Sequence, residues 1–299
     1  TSVSRGLGDV YKRQALNFFL IFGYWIFPKL GVEGAAIGTL IARFCMLLFI
    51  IFYLKLHKKL SVYIKRFFPS KVEIKRLKKI LYLGLPSALH SFFEVAFFIS
   101  AVWMSGFIGK NSQAANQIAL NLSSMTYMVA LGVGVAAMIR VGNQRGMMNF
   151  KKLREVALST ILLIISIDII FCMIFLLFND SLPLLYLDPN NPSSLTDVNQ
   201  VLEIASKLLI VAGVFQLFDG IQAVVLGALR GMQDVNKPAI IIFLSYGVIG
   251  FPISYYLGFY TSLSMVGIWL GLLSGLFSSS LFLFLRFNYL SRKIIRLND

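Results

Sequence analysis

Long apolar runs separated by short polar segments follow one another from residue 15 to residue 285. A helix needs about 20 predominantly apolar residues to cross the hydrocarbon core of a bilayer. Strands of a membrane barrel would be about half as long and would alternate in polarity, so a helix is predicted for every run. The pattern therefore predicts an all-α integral membrane protein with eight transmembrane helices. They cover residues 15–27, 35–54, 80–108, 114–139, 156–178, 205–229, 239–259 and 265–285.

Charged residues lie mainly in the connections between these runs. Of all residues, 58% are hydrophobic and 14% are charged, whereas soluble domains are roughly half apolar and a quarter charged. The net charge of +15 does not indicate a nucleic-acid partner, because Lys and Arg concentrate in alternate connections rather than on a soluble face. The positive-inside rule then predicts a multi-pass protein of the inner (plasma) membrane with both chain ends cytoplasmic. The basic connections are residues 55–79, 140–154, 230–237 and 286–296.

The remaining polar features argue against an enzyme. Two cysteines, Cys45 and Cys172, and two histidines, His57 and His90, have spacings that fit neither a disulfide framework nor a metal site. The sequence lacks the HExxH, GxSxG and Walker-type motifs of hydrolases. A transporter without a catalytic cofactor is therefore predicted. Residues 1–14 are polar, lack an initiator Met and lack the apolar region of a signal sequence, so they are interpreted as a non-native leader.

A pattern near the start of the chain recurs near its end. Phe27-Pro28 followed by Gly34-x-x-x-Gly38 reappears as Phe251-Pro252 followed by Gly267-x-x-x-Gly271. Glycine and proline are common in membrane helices, so coincidence is the alternative explanation. If the first two spans correspond to the last two, the repeat unit has six helices, a plan known in transporters. The chain would then hold two helices of one unit and six of the next, with about four more expected upstream.

Five motifs lie on three of the predicted spans or at their ends. They are Gly84-Leu-Pro-Ser87 with Phe93-Glu94, Ala114-Ala-Asn-Gln-Ile-Ala119, Arg140-Val-Gly-Asn143, Phe215-Gln-Leu-Phe-Asp-Gly-Ile-Gln222 and Gly227-Ala-Leu-Arg-Gly231. In sequence and order these motifs resemble the multidrug and toxic compound extrusion (MATE) family, particularly its NorM-like bacterial branch. The resemblance implies a monomeric, two-lobed antiporter of twelve helices, which exports small organic cations in exchange for Na⁺ or H⁺ by alternating access. This chain departs from the family at Asn116, where many members have His, and at Phe215, where some have Tyr.

The resemblance also divides the chain into parts of the two lobes. Residues 15–54 would be the last two helices of the first lobe, and residues 55–79 a basic cytoplasmic loop between the lobes. Residues 80–290 would form the six-helix second lobe, followed by a cytoplasmic tail at residues 291–299. On this interpretation the chain is an N-terminally truncated copy of the transporter, surrounded by membrane lipid.

Carboxyl groups inside apolar spans are the first candidates for transport, because each costs at least a few kcal/mol if it faces lipid. Glu94 lies among apolar and aromatic residues, where a carboxyl suits a carried proton or a Na⁺ ligand. The alternative is a protonated Glu bonded to a neighbouring helix. Asp219 lies on a polar stripe with Gln216 and Gln222, whose amides could instead join helices. The resemblance implies that Glu94 and Asp219 together form the cation site of this lobe.

A second polar stripe follows one face of the span predicted at residues 114–139. Gln117, Asn121, Ser124 and Met128 recur at helical spacing, and Tyr127 lies beside them. Amide oxygens suit an ion or a drug, and Met and Tyr offer adaptable apolar contact, although hydrogen bonding between helices is the alternative. The predicted cation ligands are therefore Glu94, Asp219, Asn121 and Gln117, and the predicted cavity residues are Tyr127, Met128, Gln216 and Asn116.

Three further residues and two other functions stay open. Asp168 is interpreted as structural, Arg43 as the partner of an unidentified carboxylate, and His90 as a group that could titrate beside Glu94. A lipid-linked oligosaccharide flippase of the same superfamily is the nearest alternative function, and it would be expected to line its cavity with Arg and Lys. A non-transporting fragment or scaffold is the other alternative.

Overall fold

The computed structural model describes residues 31–56, 73–187 and 195–298. Every regular element within these residues is helical. The α-helices are α1 (Gly31–Leu56), α2 (Ile74–Ile108), α3 (Lys110–Gly146), α4 (Phe150–Leu177), α5 (Leu195–Gly231), α6 (Asn236–Phe243), α7 (Phe251–Phe259) and α8 (Ser264–Asn298). A 3₁₀ turn, Pro183–Leu185, follows α4, and a π-helical stretch, Leu244–Gly250, joins α6 to α7. The chain divides into two compact units, residues 1–74 and residues 75–299.

Seven of the described stretches are long and apolar enough to cross a membrane. The α6 helix, the π-helical stretch and α7 together make one of them, and each other helix makes one. These stretches contain almost all of the spans predicted between residues 35 and 285, so the all-α membrane fold and these seven spans are confirmed. The span predicted at residues 15–27 and the leader predicted at residues 1–14 lie outside the described residues.

In the first unit, residues 31–56 form α1. This helix carries Glu33 in its first turn and Lys55 in its last turn, the arrangement that the helix dipole favours. Its central stretch, residues 36–53, has a mean hydropathy of 2.2. The side chain of Arg43 is exposed on this helix, and its pairing with a carboxylate stays a prediction.

Two helices extend beyond the apolar runs from which they were predicted. The α2 helix begins at Ile74, inside the segment predicted as an inter-lobe loop at residues 55–79. The α8 helix continues to Asn298, through the segment predicted as a tail at residues 291–299. Hydropathy marks only the part of a helix that suits lipid, whereas backbone hydrogen bonding continues into polar sequence. The division into lobes stays a prediction.

The last turns of α8 are fixed by α4 of the same unit. Arg154, near the start of α4, donates hydrogen bonds to Oδ1 of Asn288 at 2.7 Å and to Oγ of Ser291 at 2.9 Å. Phe287 and Ser291 are buried on the same side of α8. Hydrogen bonds from a charged group are stronger than those between neutral groups, so this contact stabilises the polar end of α8 as a helix.

The α5 helix is the centre of the second unit, where it packs against α3, α4 and α8. It runs parallel to α3, since Gly134 faces Ala223 and Gly142 faces Gly231. A Cβ atom at Gly134 would lie 2.8 Å from the carbonyl oxygen of Ala223, and one at Gly227 would overlap the carbonyl oxygen of Gly134. Small residues therefore let the two backbones touch, as is common between membrane helices. This contact holds the side chains of α3 against those of α5.

A widened helical turn precedes Pro252 in the span that α6 and α7 share. The π-helical stretch ends at Gly250, and Pro252 lies in the first turn of α7. Proline has no backbone N–H and cannot make the hydrogen bond of a regular helix, and π turns are rare and often occur at functional sites. Tyr246, within this stretch, is 1% exposed and stacks on Phe97 with ring centroids 4.7 Å apart. The turn therefore places a tyrosine inside the bundle.

Candidate functional site

A cavity of about 560 Å³ lies between α2, α3 and α5. The α2 helix contributes Glu94, α3 contributes Gln117, Asn121 and Tyr127, and α5 contributes Asp219. The structure therefore brings together all of the predicted cation ligands and one of the predicted cavity residues. The other lining residues are Ser91, Val95, Phe98, Leu120, Ser123, Ser124, Leu131 and Phe215.

Glu94 is held in place by neutral hydrogen-bond donors. Its Oε1 accepts from the hydroxyl of Tyr127 at 3.3 Å and from Nε2 of Gln222 at 3.4 Å. Gln222 is fixed in turn by Tyr246, whose hydroxyl lies 2.6 Å from Nε2 and 2.9 Å from Oε1 of the amide. The Glu94 side chain keeps 13% of its surface exposed. Residues of α3, α5 and the π-helical stretch therefore set its orientation toward the cavity.

Asp219 offers a carboxyl oxygen that has no partner in the described part of the chain. The residue is 6% exposed, it lines the cavity, and its Oδ1 makes no hydrogen bond there. Its carboxyl interacts electrostatically with those of Glu94 and Asp168. Buried polar atoms in native proteins almost always have a partner, from the protein or from a bound water or ion. This oxygen is therefore available to a cation or a proton.

The lining of the cavity suits a hard cation better than an anion or a transition metal. Two carboxyls, two amides, a phenol and three serine hydroxyls supply oxygen atoms, and the described residues of the lining include no Lys or Arg. Oxygen donors of this kind are the ligands that hard cations prefer. The described residues contain no group of three or more His, Cys, Asp and Glu side chains that could hold a metal ion. Oxygen donors and two carboxyls in one cavity are the chemistry that suits Na⁺, a proton or an organic cation.

The MatE family model matches residues 86–256, which is more than half of the chain. The chain belongs to the MatE family. It is 34% identical over 283 residues to the probable multidrug resistance protein NorM of Agrobacterium fabrum, and 33% identical over 278 residues to that of Bacillus subtilis. These alignments cover 93% of this chain but 59% and 60% of the two relatives. The chain therefore spans about three-fifths of the length of the curated relatives that it matches.

The fold also matches a solved structure, described as the outward-facing conformation of a multidrug resistance MATE family transporter. The TM-score is 0.79 at 24% sequence identity, over 98% of this chain and 63% of that chain. The recognition of a NorM-like MATE protein from its motifs is therefore confirmed. The segment that matches the MatE model includes every residue that lines the cavity.

Three residues predicted for the cavity lie elsewhere in this MatE family member. Asn116 is fully buried, where its Oδ1 accepts a hydrogen bond of 2.9 Å from Nε1 of Trp269 on α8. Gln216 is 3% exposed and does not line the cavity. Met128 is 64% exposed on α3 and is also absent from the lining. The cavity follows α3 along Ser124 and Tyr127, because Tyr127 turns toward Glu94.

A second cavity of about 350 Å³, mostly apolar, was not predicted from the sequence. Gln117 and Asn121 line both cavities, so the two adjoin each other along α3. Asp197 lies in the wall of the second cavity and pairs with Nζ of Lys110 at 3.0 Å. The remaining wall residues are Ala114, Ile118, Tyr186, Leu187, Val198 and Val201. No single motif marks this cavity, because α3, α5 and the turn after α4 each supply part of it.

Asp168 lies on α4, close to the site but outside the cavity lining. It is 2% exposed, and its Oδ2 has no hydrogen-bond partner in the described residues. The carboxyl packs against Gly220 of α5, where a Cβ atom would collide with it. The glycine next to Asp219 thus makes room for a third carboxyl. Its structural role stays a prediction.

Proposed function

We propose that this chain forms the cation-binding lobe of a secondary active antiporter, which exports small organic cations in exchange for Na⁺ or H⁺. The observation that carries the proposal is the pair of carboxyls, Glu94 and Asp219, in one cavity, and no Lys or Arg lines it in the part of the chain that the structure describes. Burying two carboxylates in one cavity is costly, because their charges also repel each other, so occupancy by a cation is favoured. The family membership and the names of the relatives support export of drugs as the process.

The cavity has room and suitable surfaces for a flat organic cation. Its volume of about 560 Å³ lies within the range of small-molecule sites, roughly 300–1,000 Å³. Phe98, Phe215 and Tyr127 provide aromatic rings, and such rings attract cations through their faces. Gln117 and Asn121 on α3 provide amide oxygens. The same cavity therefore offers contacts to a coupling ion and to a drug.

Competition between these two cations would couple their movements. Arrival of Na⁺ or H⁺ at Glu94 and Asp219 neutralises the charge that attracts the drug, so the drug leaves on the side where the ion arrives. Transporters of this kind alternate between inward-open and outward-open states, and each ligand shifts that equilibrium by its different affinity for the two states. The proposed protein is a monomer in the inner membrane, with both ends of this chain cytoplasmic and membrane lipid around it.

The proposal is tested by ethidium efflux from cells that express the complete native gene, including any sequence upstream of Thr1. Efflux is measured under separate Na⁺ and pH gradients for the wild type, Glu94→Gln and Asp219→Asn. Each substitution keeps the shape of the side chain but removes the charge, so we expect gradient-driven efflux to be lost while membrane expression is retained. Glu203→Gln is the matched control, because Glu203 is exposed and pairs with Lys207 at 2.7 Å.

Normal efflux by both cavity variants would overturn the assignment of the cation site. An absence of efflux from the wild type under either gradient, at good expression, would overturn the antiporter and favour the flippase. A loss of efflux in the Glu203→Gln control as large as in the cavity variants would show that any change of charge impairs the protein. Only loss confined to Glu94 and Asp219, with an identified driving ion, supports the proposal.

A further inference from the structure

The second carboxyl oxygen of Glu94 faces His90, and Arg230 contacts the far side of the His90 ring. Nε2 of His90 lies 3.8 Å from Oε2 of Glu94, and Nδ1 of the same ring lies 3.1 Å from a terminal nitrogen of Arg230. His90 is 4% exposed, and its Nε2 makes no hydrogen bond within the described residues. The imidazole ring therefore fills the space between the guanidinium and the carboxyl.

The contact with Arg230 fixes which imidazole nitrogen carries the proton. A guanidinium stays charged and only donates hydrogen bonds, so Nδ1 of His90 must accept. The proton of the neutral ring then resides on Nε2, which faces Glu94. If the ring were doubly protonated, its Nδ1–H would face an N–H of Arg230, so two donors would meet without an acceptor. His90 is thus a neutral donor directed at Glu94, and at 3.8 Å the interaction is electrostatic rather than a direct hydrogen bond.

The other groups around Glu94 do not supply positive charge. Tyr127 and Gln222 contact Oε1 as neutral donors, with Tyr246 behind Gln222. Asp219, in the same cavity, adds a negative charge. Among the described residues, Arg230 is the basic group that interacts electrostatically with Glu94 apart from the adjoining His90. Any cation that binds Glu94 therefore does so in the field of one fixed guanidinium.

We propose that Arg230, acting through His90, weakens binding of the coupling cation at Glu94 and so permits its release, an inference that rests on the proposed antiport function. A site with two buried carboxyls and no opposing charge would hold its ion too tightly, whereas transport requires binding weak enough for the ion to leave. The contacts of 3.1 Å and 3.8 Å lie on either side of one imidazole ring. At such a separation, with an effective dielectric near 20, one charge changes the affinity for a monovalent cation on the order of tenfold. His90 is a positioning residue, because its ring orients the contact without binding the ion.

A purely structural role for Arg230 makes a different prediction. Arg230 lies in the last turn of α5, where a positive charge stabilises a helix through its dipole. Loss of such a cap would lower the stability of the protein but would leave the affinity for the ion unchanged. The deciding measurement is therefore the half-saturating concentration of the coupling ion, Na⁺ or H⁺, for ethidium efflux.

The experiment uses the complete native gene product in proteoliposomes. Arg230→Gln is expected to lower the half-saturating ion concentration about tenfold, because the repulsive charge is gone. His90→Gln is expected to stay within about twofold of the wild type, since the amide can accept from Arg230 and donate to Glu94. The matched control is Arg286→Gln, which removes a guanidinium bound to Asp234 at 2.9 Å and away from the cavity. Its half-saturating concentration is expected to stay within about twofold as well.

The route through His90 is tested by combining substitutions. His90→Leu should lower the half-saturating concentration, and adding Arg230→Gln to it should change the value by less than about twofold, since coupled residues are not additive.

An unchanged or raised value in Arg230→Gln overturns the proposal. If Arg230→Gln does not reach the membrane, the comparison of His90→Leu with His90→Gln decides, and equal values overturn it. Ion dependence that is lost in Glu94→Gln but unaffected by Arg230→Gln overturns this inference alone, whereas a wild type without ion dependence overturns the antiporter.

Discussion

The close contact between α3 and α5 predicts that adding one methyl group at Gly134 destabilises the protein. A Cβ atom there would lie 2.8 Å from the carbonyl oxygen of Ala223 and 3.3 Å from its carbonyl carbon. Both are backbone atoms of a central helix, so no change of rotamer relieves the clash and the helices must separate. Gly132, two residues earlier on the same helix, provides the matched control, because a Cβ atom there meets nothing within 4 Å.

The two glycines allow the cost of the clash to be separated from helix propensity. Replacing Gly by Ala within a helix stabilises it by about 1 kcal/mol at either position. Overpacking a close contact typically costs about 1–3 kcal/mol, and that term applies only to Gly134→Ala. The difference in unfolding free energy between the two variants is therefore expected to be about 1–3 kcal/mol, with Gly132→Ala the more stable.

Thermal unfolding of the purified native gene product in detergent, followed by circular dichroism, measures this difference. Gly132→Ala should match or exceed the midpoint of the wild type, and Gly134→Ala should fall below it. Separation of the helices would also move Asn121 and Tyr127 on α3 relative to Asp219 on α5, so efflux by Gly134→Ala should fall as well. Equal midpoints for the two variants would refute the argument that glycine is required for this approach.

Three further substitutions test contacts outside the cavity. Trp269→Phe removes the donor to the buried amide of Asn116 and should cost about 1–3 kcal/mol in a thermal melt; an unchanged midpoint would mean that another donor replaces it. Arg154→Ala should free the end of α8, visible as faster amide hydrogen exchange at residues 288–298, and unchanged exchange there would contradict the contact with α4. Lys110→Ala removes an exposed ion pair with the carboxylate at the rim of the second cavity and should cost less than about 1 kcal/mol, so a larger loss would indicate a buried role.

The helices and the two cavity carboxyls could be predicted because each depends on a local signal. The most apolar 18-residue window of α4 has a mean hydropathy of 2.9, and a run this apolar has few alternatives to a membrane helix. Glu94 and Asp219 stand out for the same reason, since a charge within such a run requires an explanation. That they share one cavity was expected only from the family resemblance, because they lie on different helices more than 100 residues apart.

Contacts between distant residues could not be predicted in the same way. The motif around Asn116 indicated a place in the cavity. The amide oxygen of Asn116 instead accepts a hydrogen bond from Trp269, which lies 153 residues away in the sequence. Polar side chains on one helix face form hydrogen bonds with each other, with a ligand or with a neighbouring helix. Their spacing in the sequence is the same in all three cases. Burial separates these cases in the structure, since Asn116 is fully buried whereas Gln117 is exposed and lines the cavity.

The orientation of Glu94 depends on a feature of the backbone that periodicity does not record. A π-helical stretch adds a residue to a turn, so it rotates the helix face that follows relative to a regular 3.6-residue pattern. The stretch before Pro252 contains Tyr246, whose hydroxyl fixes the amide of Gln222, which in turn donates to Glu94. The helical periodicity of the sequence does not distinguish Tyr246 from the other aromatic residues of its apolar span. Because its position comes from the widened turn, the geometry of the proposed cation site is set partly by a helix that has no residue among those lining the cavity.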